Sequence, residues 1–385
     1  MRGRGCWVAT CVVGVVVGVM GGQAARAAEE AIKVGWIGPL SGVLAAYGQE
    51  NKRGVEFAVE RINAAGGVKG RKLDVTYVDT RFDPAFAVQT VQRLATQDRV
   101  VAIIGDIASS STVATVPVTA RLGVPQIVGL GGTTKTTELG SAYIFRPYPS
   151  VGLTYSTLAY YATDRLKLKR FATVAYNDEG ALSSIEGFTA ALKRTGKGEV
   201  VAAEVIPVDT KEFKGILTKV RGTNPEALVL AAAAPVSGLI SKQTRELGWN
   251  VQLLGHGGFQ GIVQYREVAG PAGDGMILVT TYAPGLYTHK EAQDFLREWK
   301  AKYGADPRDL EAHGFDETNL LAWAIQHAGA ERKAIRDQLA TVKDWPGAAG
   351  VYTFLPNGDV VKKLVVQTWK DGKLTPIEVY EKPRP

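Results

Sequence analysis

A run of small hydroxyl residues, Ser109-Ser110-Ser111-Thr112, follows a short apolar segment at residues 99–104 and Gly105. A β-branched run that ends in glycine and hydroxyl residues is typical of a buried parallel strand that opens into a helix N-terminus. Unpaired N–H groups and a partial positive charge at such a helix end favour a bound carboxylate or other anion. One serine alone would be explained as a helix cap, but four hydroxyls exceed what a cap needs.

A second loop of this kind, residues 129–137, follows the next predicted strand at residues 124–128. Loops at the carboxyl ends of neighbouring parallel strands line one crevice, so we expect the backbone N–H of Gly131 and the hydroxyl of Thr133 opposite Ser109. Lys135 in the same loop either attracts an anion or faces water. A mobile surface loop is the alternative, and the convergence of two such loops favours the binding interpretation.

Tyr47 and a glycine-rich segment are weaker candidates. Tyr47 precedes the first predicted helix, where its ring either covers a ligand or packs at the rim. The run Gly255-His256-Gly257-Gly258-Phe259-Gln260-Gly261 resembles a dinucleotide loop only faintly, because Gln260 stands where the third glycine belongs. We interpret it as a glycine-rich loop that lets the backbone approach another group.

The motifs of common enzyme classes do not occur in the sequence. There is no Walker-type phosphate loop, no GxSxG elbow and no HExxH motif, and the four histidines do not have metal-ligand spacing. We therefore expect a binding protein that is not an enzyme and has no catalytic residue, cofactor or metal. A nucleotide-dependent oxidoreductase is the enzyme alternative, and it would need a proper phosphate loop.

Residues 1–27 have the pattern of a secretory signal peptide. Arg2 and Arg4 precede an apolar run, and Ala25 and Ala27 give a small-residue cleavage pattern. A retained membrane anchor is the alternative, although the apolar run is short for a membrane span. Both cysteines lie in this segment, and its removal leaves 42 basic and 38 acidic residues. Such a small excess of positive charge does not favour nucleic acid as a partner, and we expect the mature protein in the periplasm.

Strand and helix patterns alternate along the next part of the chain, which predicts parallel sheets covered by helices on both faces. The predicted class is α/β, with two open parallel-sheet lobes. The first set of strands lies at residues 32–38, 73–78, 99–104 and 124–128, and the second at residues 171–176, 200–206, 227–231, 251–254 and 276–279.

Three local features complete the prediction. The helix after Ser109 is expected to break or restart at Pro117. The last third of the chain is expected to be mostly helical and to end in hairpins with turns at residues 356–359 and 370–373. The helices are predicted at residues 291–303, 316–328 and 332–342, and the late strands at residues 351–355, 360–369 and 374–381.

The order of these motifs resembles the branched-chain amino-acid-binding group of type I periplasmic solute-binding proteins, which deliver ligands to ABC importers. The resemblance runs from about Ile32 to the C-terminus. The residues that carry it are Gly38-Pro39-Leu40-Ser41-Gly42, Ala46-Tyr47-Gly48, Ile62-Asn63-Ala64-Ala65-Gly66-Gly67-Val68-Lys69-Gly70, Asp83-Pro84, Gly105 with Ser109-Ser110-Ser111-Thr112, Phe145-Arg146, and Phe354-Leu355-Pro356-Asn357-Gly358-Asp359.

The resemblance implies two lobes joined by three crossovers, with the ligand in the cleft between them. The crossovers are expected near residues 146–150, 280–282 and 354–355. This gives an N-terminal lobe of residues 28–148 plus 282–354 and a C-terminal lobe of residues 149–281 plus 355–385. By resemblance, Ser109, the backbone of Gly131 and Thr133 hold the ligand's α-carboxylate, and Tyr47 contacts its side chain.

The sequence departs from the family pattern in the second lobe. Where amino-acid binders carry an acid that pairs with the ligand ammonium, this chain has His256-Gly257-Gly258, and Ala181-Leu182 replaces a Tyr-Gly pair. An unpaired ammonium in a closed cleft would cost roughly several kcal/mol. We therefore expect a carboxylate ligand that is aromatic or otherwise bulky, with Tyr155, His256 or Phe259 on the far side.

Other ligands stay open. Glu179 or another acid would restore amino-acid binding, so branched-chain amino acids are the second candidate, and a soluble sensor of amides or urea is the third. In every case we expect capture by hinge closure, and for the importer the partners are the membrane subunits of an ABC permease. We expect the protein to be a monomer.

Overall fold

A computed structural model describes residues 30–381 together with residues 1, 3 and 5. The predicted signal peptide therefore lies almost wholly outside the described residues. In this described part, no helix combines the length and the apolar character needed to cross a membrane.

The first sheet is parallel and has five strands. The elements of this part of the chain are β1 (Ile32–Gly38), α1 (Ala45–Ala64), β2 (Leu73–Asp79), α2 (Pro84–Thr96), β3 (Ala102–Ile104), α3 (Ser109–Leu122), β4 (Gln126–Ile127), α4 (Lys135–Glu138) and β5 (Ile144–Phe145). The strand order is β2-β1-β3-β4-β5, so β1 lies in the interior of the sheet and the later strands reach both edges.

The second sheet has seven strands, and five of them form a parallel core. The elements that build it are α5 (Val151–Asp164), β6 (Arg170–Tyr176), α6 (Glu179–Thr195), β7 (Glu199–Ile206), α7 (Lys214–Arg221), β8 (Ala227–Ala231), α8 (Ala234–Glu246), β9 (Gln252–His256), α9 (Gly257–Gln260), α10 (Val263–Ala269) and β10 (Ile277–Thr280). An antiparallel hairpin from the end of the chain joins this sheet beside β10.

The remaining elements are divided between the two sheets. Helices α11 (Lys290–Tyr303), α12 (Asp309–Ala328) and α13 (Arg332–Leu339), with the hairpin β11 (Trp345–Gly347) and β12 (Gly350–Tyr352), follow β10. Leu320, Ile335 and Tyr352 share a buried core with the first sheet. Strands β13 (Leu364–Lys370) and β14 (Lys373–Tyr380) complete the second sheet, whose order is β14-β13-β10-β9-β8-β6-β7.

The chain thus passes between the two lobes three times, which confirms the predicted fold class. The first passage lies between Phe145 and Val151, and the second follows Thr280. The third lies later than predicted, because Val360 still packs in the first core and pairs with Phe354. The packing of Val360 favours a third boundary after residue 360, while the boundaries at 148/149 and 281/282 stay predictions.

Two glycines allow α1 and α12 to cross in close contact. A Cβ atom at Gly54 would lie 2.0 Å from the carbonyl oxygen of Glu311, and one at Gly314 would lie 2.2 Å from that of Asn51. These distances are far below van der Waals contact, so each helix needs a glycine where the other helix passes. The crossing fixes α12 on the first lobe.

The start of α12 differs from the prediction. The helix begins at Asp309 rather than at residue 316, and the backbone N–H of Arg308 is bonded by Glu311 Oε2 at 2.8 Å. Polar residues lie on its buried side, including Glu311, His313 and Asp316. They interrupt the apolar periodicity that a buried helix face normally shows.

Two further predictions need correction, and one is confirmed. Helix α3 continues through Pro117, and the buried residues Val116 and Val118 hold it on both sides of the proline. Residues 355–359 form a turn between Phe354 and Val360 rather than a hairpin between long strands. The predicted turn at residues 370–373 does join β13 to β14.

Replacing Gly54 by alanine tests the close crossing of α1 and α12. We expect Gly54→Ala to lower the free energy of unfolding by about 2 kcal/mol or more, because the new methyl group overlaps a backbone carbonyl. Gly215 in α7 is the matched control, since a Cβ there meets nothing within 4 Å. Gly215→Ala should raise the free energy of unfolding by roughly 0.5 kcal/mol. Urea unfolding measures both, and equal effects of the two changes would contradict the close crossing.

Candidate ligand-binding cleft

A small cavity lies where the carboxyl ends of strands from both sheets face each other. Tyr47, Ser109 and Phe259 of the predicted site line it, whereas the other predicted residues lie beside or behind its wall. The wall from the first lobe includes Leu44, Tyr47, Phe82, Ile107, Ser109 and Leu130. The wall from the second lobe is formed by Tyr176, Asp178, Ala181, Ala231, Ala232, Ala233 and Phe259.

The N-terminus of α3 opens into this cavity. Its N-cap residue is Ala108, whose methyl side chain accepts no hydrogen bond, so the first-turn N–H groups keep their capacity for another acceptor. Asp106 Oδ1 accepts from the N–H of Ala108 at 2.9 Å and holds the chain just before the helix. The helix end therefore presents Ser109 and unpaired backbone donors together.

The structure brings the second predicted loop against this helix end. The N–H of Thr133 donates to Ser109 Oγ at 3.3 Å. Thr133 Oγ1 is buried and has no hydrogen-bond partner among the described residues. Gly131 packs so tightly on α3 that a Cβ atom there would lie 2.3 Å from Thr112 Oγ1. The three residues thus form one polar corner, and their contact with a ligand carboxylate stays a prediction.

Arg146, which the sequence analysis gave no role, holds this corner in place. Its guanidinium is fully buried and donates to the carbonyl oxygen of Thr133. The same group forms an ion pair with Asp359, in which Nη2 donates to Oδ2 at 2.6 Å and Nε donates to Oδ1 at 3.2 Å. Two-point recognition of a carboxylate fixes the plane of the guanidinium and so the position of the Thr133 backbone.

Tyr47 bridges the cleft instead of only covering it. Its phenol oxygen accepts from the N–H of Ala234, the first residue of α8, at 2.5 Å, and donates to the carbonyl of Phe259 at 3.3 Å. The rings of Tyr47 and Phe259 meet edge to face with centroids 6.0 Å apart. Burial raises the pKa of the Tyr47 phenol well above its ordinary value, so it stays a neutral hydrogen-bonding group.

His256 and Tyr155 lie behind Phe259, outside the cavity wall. The His256 ring is 5.3 Å from the ring of Phe259 and stacks parallel to Tyr155 at 6.0 Å. Tyr155 donates its hydroxyl to the carbonyl of Leu230 at 2.6 Å. His256 Nδ1 accepts from the N–H of Gly258 at 2.9 Å, which places the proton of the neutral ring on Nε2. Burial lowers the pKa of His256 to about 4.

The family can be assigned from comparisons with known proteins. A sequence profile described as periplasmic binding protein matches residues 31–373. The chain belongs to the periplasmic binding protein family.

Individual relatives agree with this assignment. A Leu/Ile/Val-binding protein homolog from Brucella melitensis is 28% identical over 364 residues, which cover 92% of this chain and 95% of the relative. The structure of a leucine-binding protein from Thermotoga maritima superposes with a TM-score of 0.86 at 26% identity and covers 91% of this chain and 99% of that one. A branched-chain amino acid transporter substrate-binding protein from Streptococcus pneumoniae, solved with isoleucine, gives a TM-score of 0.84 at 28% identity, with coverage of 91% and 99%.

The resemblance to the type I branched-chain amino-acid-binding group is thus confirmed for this periplasmic binding protein. In the described residues, no group of His, Cys, Asp and Glu side chains is arranged to hold a metal ion. The cavity walls and the contacts across the cleft are therefore where the identity of a ligand must be sought.

Acidic side chains near the cavity bear on the missing ammonium partner. Asp178 lies on the cavity wall, and its Oδ1 accepts from the N–H groups of Gly180 at 2.9 Å and Ala181 at 3.3 Å, which caps α6. Burial raises the pKa of Asp178. Glu179, the acid that the sequence analysis considered, instead forms an ion pair with Lys135 of the first lobe at 2.8 Å. Lys135 is therefore paired across the cleft and not free for an anion.

The second lobe contributes several wall residues that the sequence analysis did not name. Ala231 ends β8 and is followed by Ala232 and Ala233, and Tyr176 ends β6. These residues could have been predicted from their positions at the carboxyl ends of parallel strands, because such ends line the binding crevice of an α/β sheet. Small side chains at three consecutive positions leave room in the cavity for an apolar ligand group.

Asp309, at the start of α12, ties the first two crossovers together. Its carboxylate accepts from the hydroxyls of Tyr148 at 2.7 Å, Thr280 at 3.0 Å and Thr281 at 2.8 Å. Tyr148 belongs to the first crossover, whereas Thr280 ends β10 and Thr281 follows it at the second. One buried carboxylate therefore fixes both connections relative to the first lobe.

The buried neutral ring of His256 predicts a dependence of stability on pH. The pKa is about 4 in the folded protein and about 6.5 when the ring is exposed, so below pH 6.5 the unfolded state binds a proton that the folded state does not. The stability of the wild type should fall as the pH decreases from about 6.5 to 4, by up to about 3 kcal/mol through this residue.

The variant His256→Asn is the matched comparison for this prediction. Asparagine keeps a side-chain oxygen that can accept from the N–H of Gly258 but has no titrating ring. Urea unfolding at pH 7, 5.5 and 4.5 should show that the difference in unfolding free energy between wild type and variant shrinks toward low pH. A difference that is independent of pH would contradict the buried, neutral state of His256.

Proposed function

We propose that this protein is the substrate-binding component of an ABC importer that captures a small carboxylic acid with a bulky, apolar body, aromatic acids included. The observation that carries this proposal is the uncapped first turn of α3, which presents Ser109 at an otherwise largely apolar cavity. The Thr133 hydroxyl, which has no partner among the described residues, lies beside this wall. Helix N-termini bind anions, and a buried hydroxyl without a partner favours a ligand acceptor.

The ligand body is inferred from the opposite wall. Three alanines, Ala181 and the ring of Phe259 offer apolar surface there, and Tyr47 closes the space from the first lobe. A ring or branched chain of the ligand would remove this surface from water at about 25 cal/mol per Å² of apolar area. Ligand contacts with both walls would shift the population toward the closed form, without covalent chemistry.

Branched-chain amino acids are the second candidate. The names of the relatives point to these ligands, and Asp178 is an acid on the cavity wall that an ammonium group could reach. Against this, Asp178 Oδ1 already caps α6, and the pKa of Asp178 is raised by burial, which disfavours its charged form. An amide or urea ligand would leave the anion-binding corner unused.

The place of action follows from the family and the sequence. We propose export through the signal peptide at residues 1–27 and function in the periplasm as a monomer. The closed form is then the state that membrane permease subunits would recognise.

Paired ligands that differ only in the ammonium group test the proposal. We expect 4-methylpentanoate to bind more tightly than leucine, and 3-phenylpropanoate more tightly than phenylalanine, in isothermal titration calorimetry with the mature chain. Ser109→Ala should weaken binding of the acids by roughly tenfold or more, because a hydrogen bond to a charged group contributes about 1.5–3 kcal/mol.

Ser110→Ala is the control, since Ser110 neighbours Ser109 but does not line the cavity. It should leave the affinity unchanged. Tighter binding of leucine than of 4-methylpentanoate would overturn the proposal in favour of amino acids. Asp178→Asn, which keeps an oxygen to cap α6, would then weaken leucine binding and leave 4-methylpentanoate unaffected.

A further inference from the structure

Tyr176 has a hydroxyl group that the described residues leave without a hydrogen bond. The residue ends β6, is 4% exposed and lines the cavity. Its phenol oxygen is buried and has no partner in the described part of the chain. A buried phenol normally finds a partner, and an unpartnered one carries an uncompensated desolvation penalty.

Two other tyrosines of the same region show the usual arrangement. The hydroxyl of Tyr47 bonds to both Ala234 and Phe259, and that of Tyr155 bonds to Leu230. The Tyr176 hydroxyl, by contrast, has no such partner among the described residues. Phenylalanine would supply the same ring without this cost, so the oxygen is best explained by a group that is not part of the chain.

The turn after Tyr176 lies directly across from the polar corner formed by Ser109, Gly131 and Thr133. A Cβ atom on Gly180 would come within 2.7 Å of Ser109 Oγ, so the start of α6 and the start of α3 almost touch. A ligand whose carboxylate meets Ser109 would therefore extend its body along the wall that carries Tyr176 and Ala181. Tyr176 thus lies on the second-lobe wall, beside the space that the ligand's body would occupy.

We propose that Tyr176 is a specificity-determining residue that hydrogen-bonds a second oxygen of the ligand, a hydroxyl or carbonyl group on the apolar body. The preferred ligands are then hydroxy- or oxo-substituted carboxylic acids rather than plain hydrocarbon acids. A phenol both donates and accepts, so it suits either group. This assignment rests on the proposed function, because it takes the carboxylate at Ser109 as the fixed end of the ligand.

Pairs of acids that differ by one oxygen test the assignment. The probes are 4-hydroxybenzoate and 3-hydroxybenzoate against benzoate, and 6-hydroxyhexanoate against hexanoate, titrated by calorimetry into wild type, Tyr176→Phe and Ser109→Ala. We expect at least one hydroxylated acid to bind the wild type about threefold to tenfold more tightly than its parent, the range of one hydrogen bond. Tyr176→Phe should abolish this preference while the parent acid keeps its affinity within about twofold.

Two controls separate recognition from a structural effect. Tyr380→Phe makes the same change in the same sheet, at a residue of β14 that does not line the cavity, and should change no affinity. Without ligand, the melting temperature of Tyr176→Phe should equal or exceed that of the wild type, because the variant loses an unsatisfied polar atom. A structural role of the hydroxyl would lower that temperature and so overturn the assignment.

The outcomes distinguish this inference from the proposed function. If Ser109→Ala weakens the acids but Tyr176→Phe affects both members of every pair equally, or neither, the role of Tyr176 is overturned and the carboxylate site stands. If no acid binds the wild type, or Ser109→Ala has no effect, the proposed function fails and this inference fails with it.

Discussion

The buried guanidinium of Arg146 is the interaction on which the geometry of the cleft depends. A fully buried cation is tolerated only when it is paired and its donors are satisfied. Arg146 meets both conditions by joining Asp359 and the carbonyl of Thr133. It thereby connects the end of β5, the loop that carries Thr133 and the turn before the third crossover. The guanidinium of Arg146 therefore holds both the polar corner and one of the connections between the lobes.

The contacts that cross the cleft are few compared with those that build each lobe. Lys135 and Glu179 form a largely exposed ion pair, which contributes little because water and salt screen it. Tyr47 adds hydrogen bonds to the second lobe. If the lobes open and close as proposed, these groups return to water on opening, and closure then depends on what a ligand adds by touching both walls.

The parts of the molecule that follow simple patterns could be predicted from the sequence. Apolar strands that alternate with amphipathic helices predicted the two lobes, and hydroxyl-rich loops after neighbouring strands predicted that Ser109 and Thr133 lie together, as their hydrogen bond shows. The start of α12 could not be found this way, because Glu311, His313 and Asp316 are buried polar residues whose partners are distant in sequence. The sequence predicts His256 and Tyr155 on the far side of the ligand, but in the structure they lie behind Phe259. The reason is that strand ends and glycine loops identify a region but not the direction of a side chain.

The electrostatic asymmetry between the lobes follows from how three helices begin. The cap position of α3 is an alanine, that of α6 is Asp178, and the first N–H of α8 is bonded by Tyr47. The carboxylate of Asp178 opposes the partial positive charge at the start of α6, whereas no acidic cap residue opposes that charge at the start of α3. Under the proposed function, an anionic ligand meets Ser109 and Thr133 on the first lobe. The second lobe would then contact the neutral part of the ligand, where apolar contact and the proposed role of Tyr176 would distinguish one ligand from another.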